Sequence, residues 1–218
     1  MIPVLYRDDT LLVCEKPVGV SSESPGLPDL LGEQEGGPLF PVHRLDRTTG
    51  GACVLARSPQ SCAALQRLFQ QDRVAKEYLA VVSGVPDAAS GTYTDLLYHD
   101  PRANKTFVAD SRRKGVREAS CEWKVLETAD DASGKITLVR VSLHSGRTHQ
   151  IRVQFASRRM PLIGDRRYGS RIKAPVPALW SVRICFPHPL TGKTVDVSSA
   201  PPDRFPWSCF GRPESAAP

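Results

Sequence analysis

The sequence contains no apolar run near the roughly 20 residues that span a bilayer, so no transmembrane helix is read. Its N-terminus carries Arg7, Asp8, Asp9, Glu15 and Lys16 where a signal peptide needs an unbroken apolar stretch, which argues against export. The six cysteines (Cys14, Cys53, Cys62, Cys121, Cys185 and Cys209) form no C-x-x-C pair, and none stands beside a His at zinc-ligand spacing. A zinc site and a redox dithiol are therefore not expected, and the cysteines read as reduced core thiols in a reducing compartment. Internal repeats and long low-complexity tracts are also missing. No long basic amphipathic helix flanked by aromatics appears, which disfavours a membrane-surface role.

What is present is an ordinary globular composition with unevenly spread charge. Apolar residues make up 40% of the 218, enough to fill a core, and the 24% charged fraction argues against global disorder. Lys and Arg total 29 against 23 Asp and Glu, for a net charge of +6. Arg140 to Lys173 holds nine basic residues and one acid, Asp165, and Arg102 to Arg117 holds six basic residues and one acid, Asp110. Concentrated positive charge fits a polyphosphate partner, because each neutralised phosphate releases counterions. On charge alone, a solvated basic face competes with that reading.

Periodicity predicts an opening hairpin from Ile2–Tyr6 and Thr10–Cys14, followed by an irregular Gly/Pro/Ser-rich stretch from Pro17 to Pro41 with one short helical turn near Leu30. Gly51–Ala56 reads as a strand. Ser58-Pro59 resembles an N-cap opening a helix from Pro59 to about Asp72. Strands are predicted at Tyr78–Ser83, Gly91–His99, Thr106–Ala109, Ala119–Glu127 and Lys135–Leu143. A second helix is expected from near Thr148 to before Pro161, then a closing hairpin, Trp180–Phe186 with Thr194–Val197. Strands interrupted by two helices, without βαβ alternation, indicate an α+β fold with a mixed, mostly antiparallel central sheet and flanking helices. One domain is expected over residues 1–200, with a loosely attached Pro-rich tail over residues 201–218.

Four segments carry candidate chemistry. In His43-Arg44-Leu45-Asp46-Arg47, an Asp lies between two arginines, which keep a carboxylate ionised and able to act as nucleophile or base. A loop Asp that caps backbone amides is the plainer reading. In Lys76-Glu77-Tyr78, the Tyr opens an apolar strand, where it can stack on a base or simply fill the core rim. In Gly146-Arg147-Thr148-His149-Gln150-Ile151-Arg152, a helix N-terminus with basic neighbours suits phosphate, and Arg152 suits a buried carboxylate. Gly164-Asp165-Arg166-Arg167-Tyr168-Gly169 reads as a backbone-contacting loop or as a turn in which Asp165 pairs with an adjacent Arg.

Taken together, with Val13-Cys14-Glu15-Lys16-Pro17-Val18-Gly19 ahead of them, these segments resemble the RluA-type pseudouridine synthases in order and spacing from about Tyr6 to Val197. The resemblance implies a pseudouridine synthase-like fold and isomerisation of a uridine in rRNA or tRNA: the glycosidic C–N bond breaks, the base rotates, and a C–C bond forms at C5. It assigns Asp46 as the catalytic carboxylate, by covalent attack or by proton abstraction. Tyr78 corresponds to the Tyr that packs on the target base and assists proton transfer. Arg152 corresponds to the partner of the catalytic Asp, and Arg44 to the Arg that holds the displaced nucleotide position. The reaction it implies needs no metal and no redox cofactor; nothing in the sequence demands an obligatory protein partner or more than a monomer, and the missing export signal points to a cytoplasmic location. Gln154, the Ser21-Ser22 pair and Thr48-Thr49-Gly50-Gly51 depart from the commoner family pattern. A non-catalytic RNA-binding module on the same scaffold is the alternative.

Overall fold

The structure is a computed structural model that describes residues 1–132 and 134–211. Its elements, in chain order, are β1 (Val4–Arg7), β2 (Leu11–Lys16), α1 (Leu27–Glu35), β3 (Phe40–Pro41), β4 (Gly50–Ala56), α2 (Pro59–Gln70), β5 (Ala75–Ser83), β6 (Ser90–Asp100), β7 (Lys105–Val108), β8 (Val116–Asp131), β9 (Gly134–Leu143), α3 (Gln150–Ser157), β10 (Leu179–Pro187) and β11 (Thr194–Ser198). The fold is α+β, with a mixed sheet and, among the described residues, three α-helices. The chain divides into two compact units. Unit 1 comprises Met1–Glu77 and Trp180–Pro201; unit 2 comprises Tyr78–Leu179 and, of the described residues, 202–211.

In unit 1 the expected hairpin forms as β1 against β2, and β2 continues antiparallel onto β4. The buried alternation of Leu11, Val13, Val54, Leu65, Ile184 and Phe186 builds one apolar core under this sheet. Helix α2 joins that core through Leu65 and Leu68, and it starts where Ser58 accepts the Ser61 amide at 3.1 Å. Strand β10 lies parallel to β4, with Trp180 opposite Gly50 and Ser181 opposite Gly51. That close approach explains the paired glycines. A Cβ on Gly50 would stand 2.3 Å from the Trp180 ring, and one on Gly51, whose φ is +106°, would stand 2.2 Å from the Ser181 carbonyl.

Helix α1 is longer than the single turn predicted. Its start is fixed by Asp29, whose carboxylate accepts the Gly26 amide and the Ser24 hydroxyl, each at 2.7 Å. Left-handed Gly36 closes it. Periodicity could not find its full length because Gly and Pro flank and interrupt its short apolar face.

In unit 2, β9, β8, β6 and β7 run in that spatial order, each antiparallel to its neighbour. Helix α3 covers one face of β6 and β8 through Val153, against Leu97 and Ala119. It begins at Gln150, two residues later than predicted, because His149 adopts a left-handed φ of 55°. The stretch after Pro201 is seated rather than loose over residues 202–211: Phe210 is buried, and the Gly211 amide donates to Glu127 at 3.1 Å. Among the described residues no helix is long and apolar enough to cross a membrane.

Candidate active site

Asp46 occupies the turn between β3 and β4 in unit 1, and both of its neighbours are fixed by the segment that follows β2. On one side, the buried Ser22 hydroxyl accepts the Leu45 amide at 3.0 Å and donates to the Leu45 carbonyl at 2.9 Å. On the other, the Arg47 carbonyl accepts the Gly19 amide at 2.7 Å, and the Arg47 Nε donates to the Gly19 carbonyl at 2.7 Å. The Asp46 carbonyl itself accepts the Thr49 amide at 2.9 Å.

Lys16 completes this clamp. It is fully buried at the end of β2, and its Nζ donates to the carbonyls of Pro17 (2.9 Å), Val20 (2.8 Å) and Arg47 (3.5 Å). Burial pushes its pKa down to about 8, while nearby Cys53, Cys14 and Asp46 pull the other way. The cation is thus retained at neutral pH by carbonyl dipoles and by the Asp46 charge. Sequence reasoning gave Lys16 and Ser22 no role. The available signal was the charged Glu15-Lys16 pair that ends an apolar strand.

His43 is the inner anchor of the same turn. Its Nε2 accepts the Val54 amide at 3.0 Å, and its ring stacks on Phe69 at 4.7 Å. Burial, helped by the Lys76 charge, drives its pKa down to about 4, so the ring is neutral and can accept. Arg44 points outward, with its guanidinium 3.2 Å from Glu23. Both groups are more than half exposed, so the pair is easily exchanged for another anion.

Tyr78 and Arg152 belong to unit 2. Tyr78 is buried within β5, which begins three residues before it at Ala75, so it does not open the strand as predicted. Arg152 is buried in the first turn of α3, where the Asp165 carboxylate takes it in a bidentate grip: Nε to Oδ2 at 2.6 Å and Nη2 to Oδ1 at 2.9 Å. Asp165 therefore does not pair with an adjacent Arg; its partner lies thirteen residues earlier. Tyr168 supports the same guanidinium, whose centre lies 5.1 Å from the ring. The Tyr168 hydroxyl accepts the Thr106 amide at 2.8 Å and lies 3.0 Å from His149 Nδ1.

The start of α3 is organised by Gln150, whose carboxamide oxygen accepts the Arg147 amide at 3.1 Å and the Ser145 hydroxyl at 2.8 Å. Gln154 is fully buried. It donates to Asp95 at 2.8 Å, and Asp95 in turn holds Arg158 through two bonds near 3 Å. The Gln154 departure is thus a structural seam between α3, β6 and β8. The six cysteines are free thiols, with Cys53 and Cys121 pushed up to about 12 by burial. No group of three or more metal-ligating side chains exists among the described residues.

The family model described as RNA pseudouridylate synthase matches residues 10–157. An uncharacterised RNA pseudouridine synthase of Aquifex aeolicus (strain VF5) is 33% identical over 94% of this chain and 71% of its own. The dual-specificity RNA pseudouridine synthase RluA of Escherichia coli (strain K12) is 32% identical over 88% of this chain and 90% of its own. Among solved structures, human RNA pseudouridylate synthase domain containing 1 superposes with a TM-score of 0.82 at 25% identity, covering 96% of this chain and 86% of that one. Four ordered motifs, an α+β fold with a mixed sheet, and these relatives converge: the chain belongs to the RNA pseudouridine synthase family and is an isomerase of that class.

Proposed function

We propose that the protein converts specific uridines of rRNA or tRNA to pseudouridine, with Asp46 as the catalytic carboxylate. The C1′–N1 bond breaks, the base turns, C1′ bonds to C5, and the proton leaving C5 is balanced by one gained at N1. Asp46 starts this sequence at the nucleoside. Arg152 stabilises its charge, Tyr78 packs on the reacting base, and Arg44 engages the RNA where the target nucleotide has been displaced. Extruding the base costs a few kcal/mol, which basic contacts to the backbone offset. The enzyme works as a cytoplasmic monomer without an obligatory protein partner.

The observation that carries this reading is the clamp around Asp46. Six hydrogen bonds fix the segment from Leu45 to Arg47, five through its backbone and one through the Arg47 side chain, and one of the five comes from a buried lysine. An Asp that only capped a loop would gain little from such anchoring. A catalytic one requires it, because reaction rate falls steeply with misplacement of the reacting group. The exposed, weakly paired Arg44 two residues away supports an RNA-facing role for the same turn.

The test is tritium release from RNA labelled at uridine C5. Asp46→Asn is expected to reduce release by at least ~10³-fold, within the range that loss of a catalytic acid or base produces, while RNA affinity stays within a few fold. Equal loss of binding and release marks Asp46 as structural. No release by the wild type from any cellular RNA pool overturns the enzyme reading in favour of a binding module.

A further inference from the structure

The outer face of the β6–β7 hairpin is a further feature that the catalytic motifs leave unused. Leu97 turns toward α3, so its neighbour Tyr98 lies on the opposite face. Tyr98 stands directly across from Phe107 on β7, and cross-strand partners share a face. Phe107 is 43% exposed. A cation lies over each ring: Lys105 Nζ is 5.4 Å from the Phe107 centroid, and the Arg113 guanidinium is 5.7 Å from that of Tyr98. Lys105 also lies 5.5 Å from Tyr168, the residue that supports Arg152.

The turn joining the two strands is held rather than free. Asp100 accepts the Arg102 amide at 2.9 Å, and Arg167 donates to the carbonyls of Ala103 and Asn104. The loop after β7 adds exposed Arg112, Arg113 and Lys114, of which Arg113 lies over the Tyr98 ring and Arg112 forms a solvent-exposed pair with Glu118. Arg102 to Arg117 carries six basic residues against one acid.

We propose that this face is a docking platform for single-stranded RNA, with unstacked bases against Phe107 and Tyr98 and phosphates against Lys105, Arg112, Arg113 and Lys114. The proposal rests on the RNA-modifying reading above and adds where that RNA is gripped away from the reacting uridine. An aromatic face crowned by a cation matches a nucleobase bonded to a phosphodiester, since every base offers a π-face and every linkage a negative charge. The excess of basic over acidic groups supplies the complementary charge. An apolar protein partner would be repelled by the desolvation of those cations.

The experiment uses the full chain and a fluorescein-labelled single-stranded oligouridylate of about 12 nucleotides, within the site sizes of single-strand binders, read by fluorescence anisotropy. Phe107→Ala is expected to weaken binding about 5- to 150-fold, the loss associated with one stacked base, whereas Phe107→Tyr stays within about twofold of wild type. The triple variant Arg112→Ala, Arg113→Ala, Lys114→Ala should lower the slope of log affinity against log salt by about 2, at ~0.7 per single-strand phosphate. Circular dichroism verifies folding, which these exposed positions should leave intact. Unchanged affinity and salt slope in both sets overturn the platform, even if Asp46→Asn still abolishes isomerisation. Conversely, an active Asp46→Asn protein that still needs Phe107 for binding overturns the catalytic assignment and leaves the platform standing.

Discussion

The two units immobilise their motif residues in different ways. In unit 1 the clamp acts on the main chain: Ser22, Gly19 and Lys16 hold the backbone of the residues on either side of Asp46. In unit 2 the clamp acts on the side chain: Asp165 holds the Arg152 guanidinium itself through two short bonds, and Tyr168 lies against it. The first arrangement suits a group that must react. The second suits a group whose charge must stay in place.

The largest effect that would sharpen this contrast is on the side-chain clamp. Asp165→Asn removes the carboxylate from a buried Arg, and loss of one member of such a pair costs about 3–5 kcal/mol. Chemical denaturation should register that loss. A change below about 1 kcal/mol would mean that Arg152 does not depend on Asp165.

The next prediction concerns His43 and acid. Its pKa in the folded protein lies near 4, below the ordinary 6.5, because burial disfavours the charged ring. Its stabilising contribution is complete above pH 6.5 and is lost as pH falls toward 4, where the unfolded chain binds the extra proton. Stability should decline over that window by up to ~3 kcal/mol, since each tenfold difference in proton affinity between the folded and unfolded chain is worth about 1.4 kcal/mol. His43→Gln, which keeps an acceptor for Val54, should flatten that decline. An unaltered pH profile would show that His43 is not its source.

The smallest expected effect is on the main-chain clamp. Ser22→Ala leaves the Leu45 amide and carbonyl without their buried partner, a cost of about 1–3 kcal/mol. Because the bonds flank Asp46, the turnover rate kcat should fall more than KM changes, and Ser22→Thr should restore part of it. A fall in stability with kcat unchanged would make Ser22 a structural residue only.

Much of the fold was legible in the sequence because the strands are written in local residue choice. The Ile/Leu/Val alternation of β9 and the Ser-Pro start of α2 are signals that lie within a few residues of the elements they specify. The motif resemblance likewise marked Asp46 and Arg152. Asp165 was visible as a residue but not as a partner, since thirteen residues and a change of direction separate it from Arg152. Ser22 was noticed only as a departure, because a hydroxyl that bonds a neighbour 23 positions away leaves no local trace. The Gly50-Gly51 pair had the same limitation: its reason is Trp180 and Ser181, about 130 positions downstream.

That last pairing has a bearing on synthesis. Residues 1–77 emerge from the ribosome long before β10, the parallel neighbour of β4. A nascent chain stalled before residue 180 would expose the edge of β4 and the glycines that β10 covers, a template for mispairing. Unit 1 can therefore mature only once β10 has been made, and fragments that stop before residue 180 should need chaperone protection rather than fold by themselves.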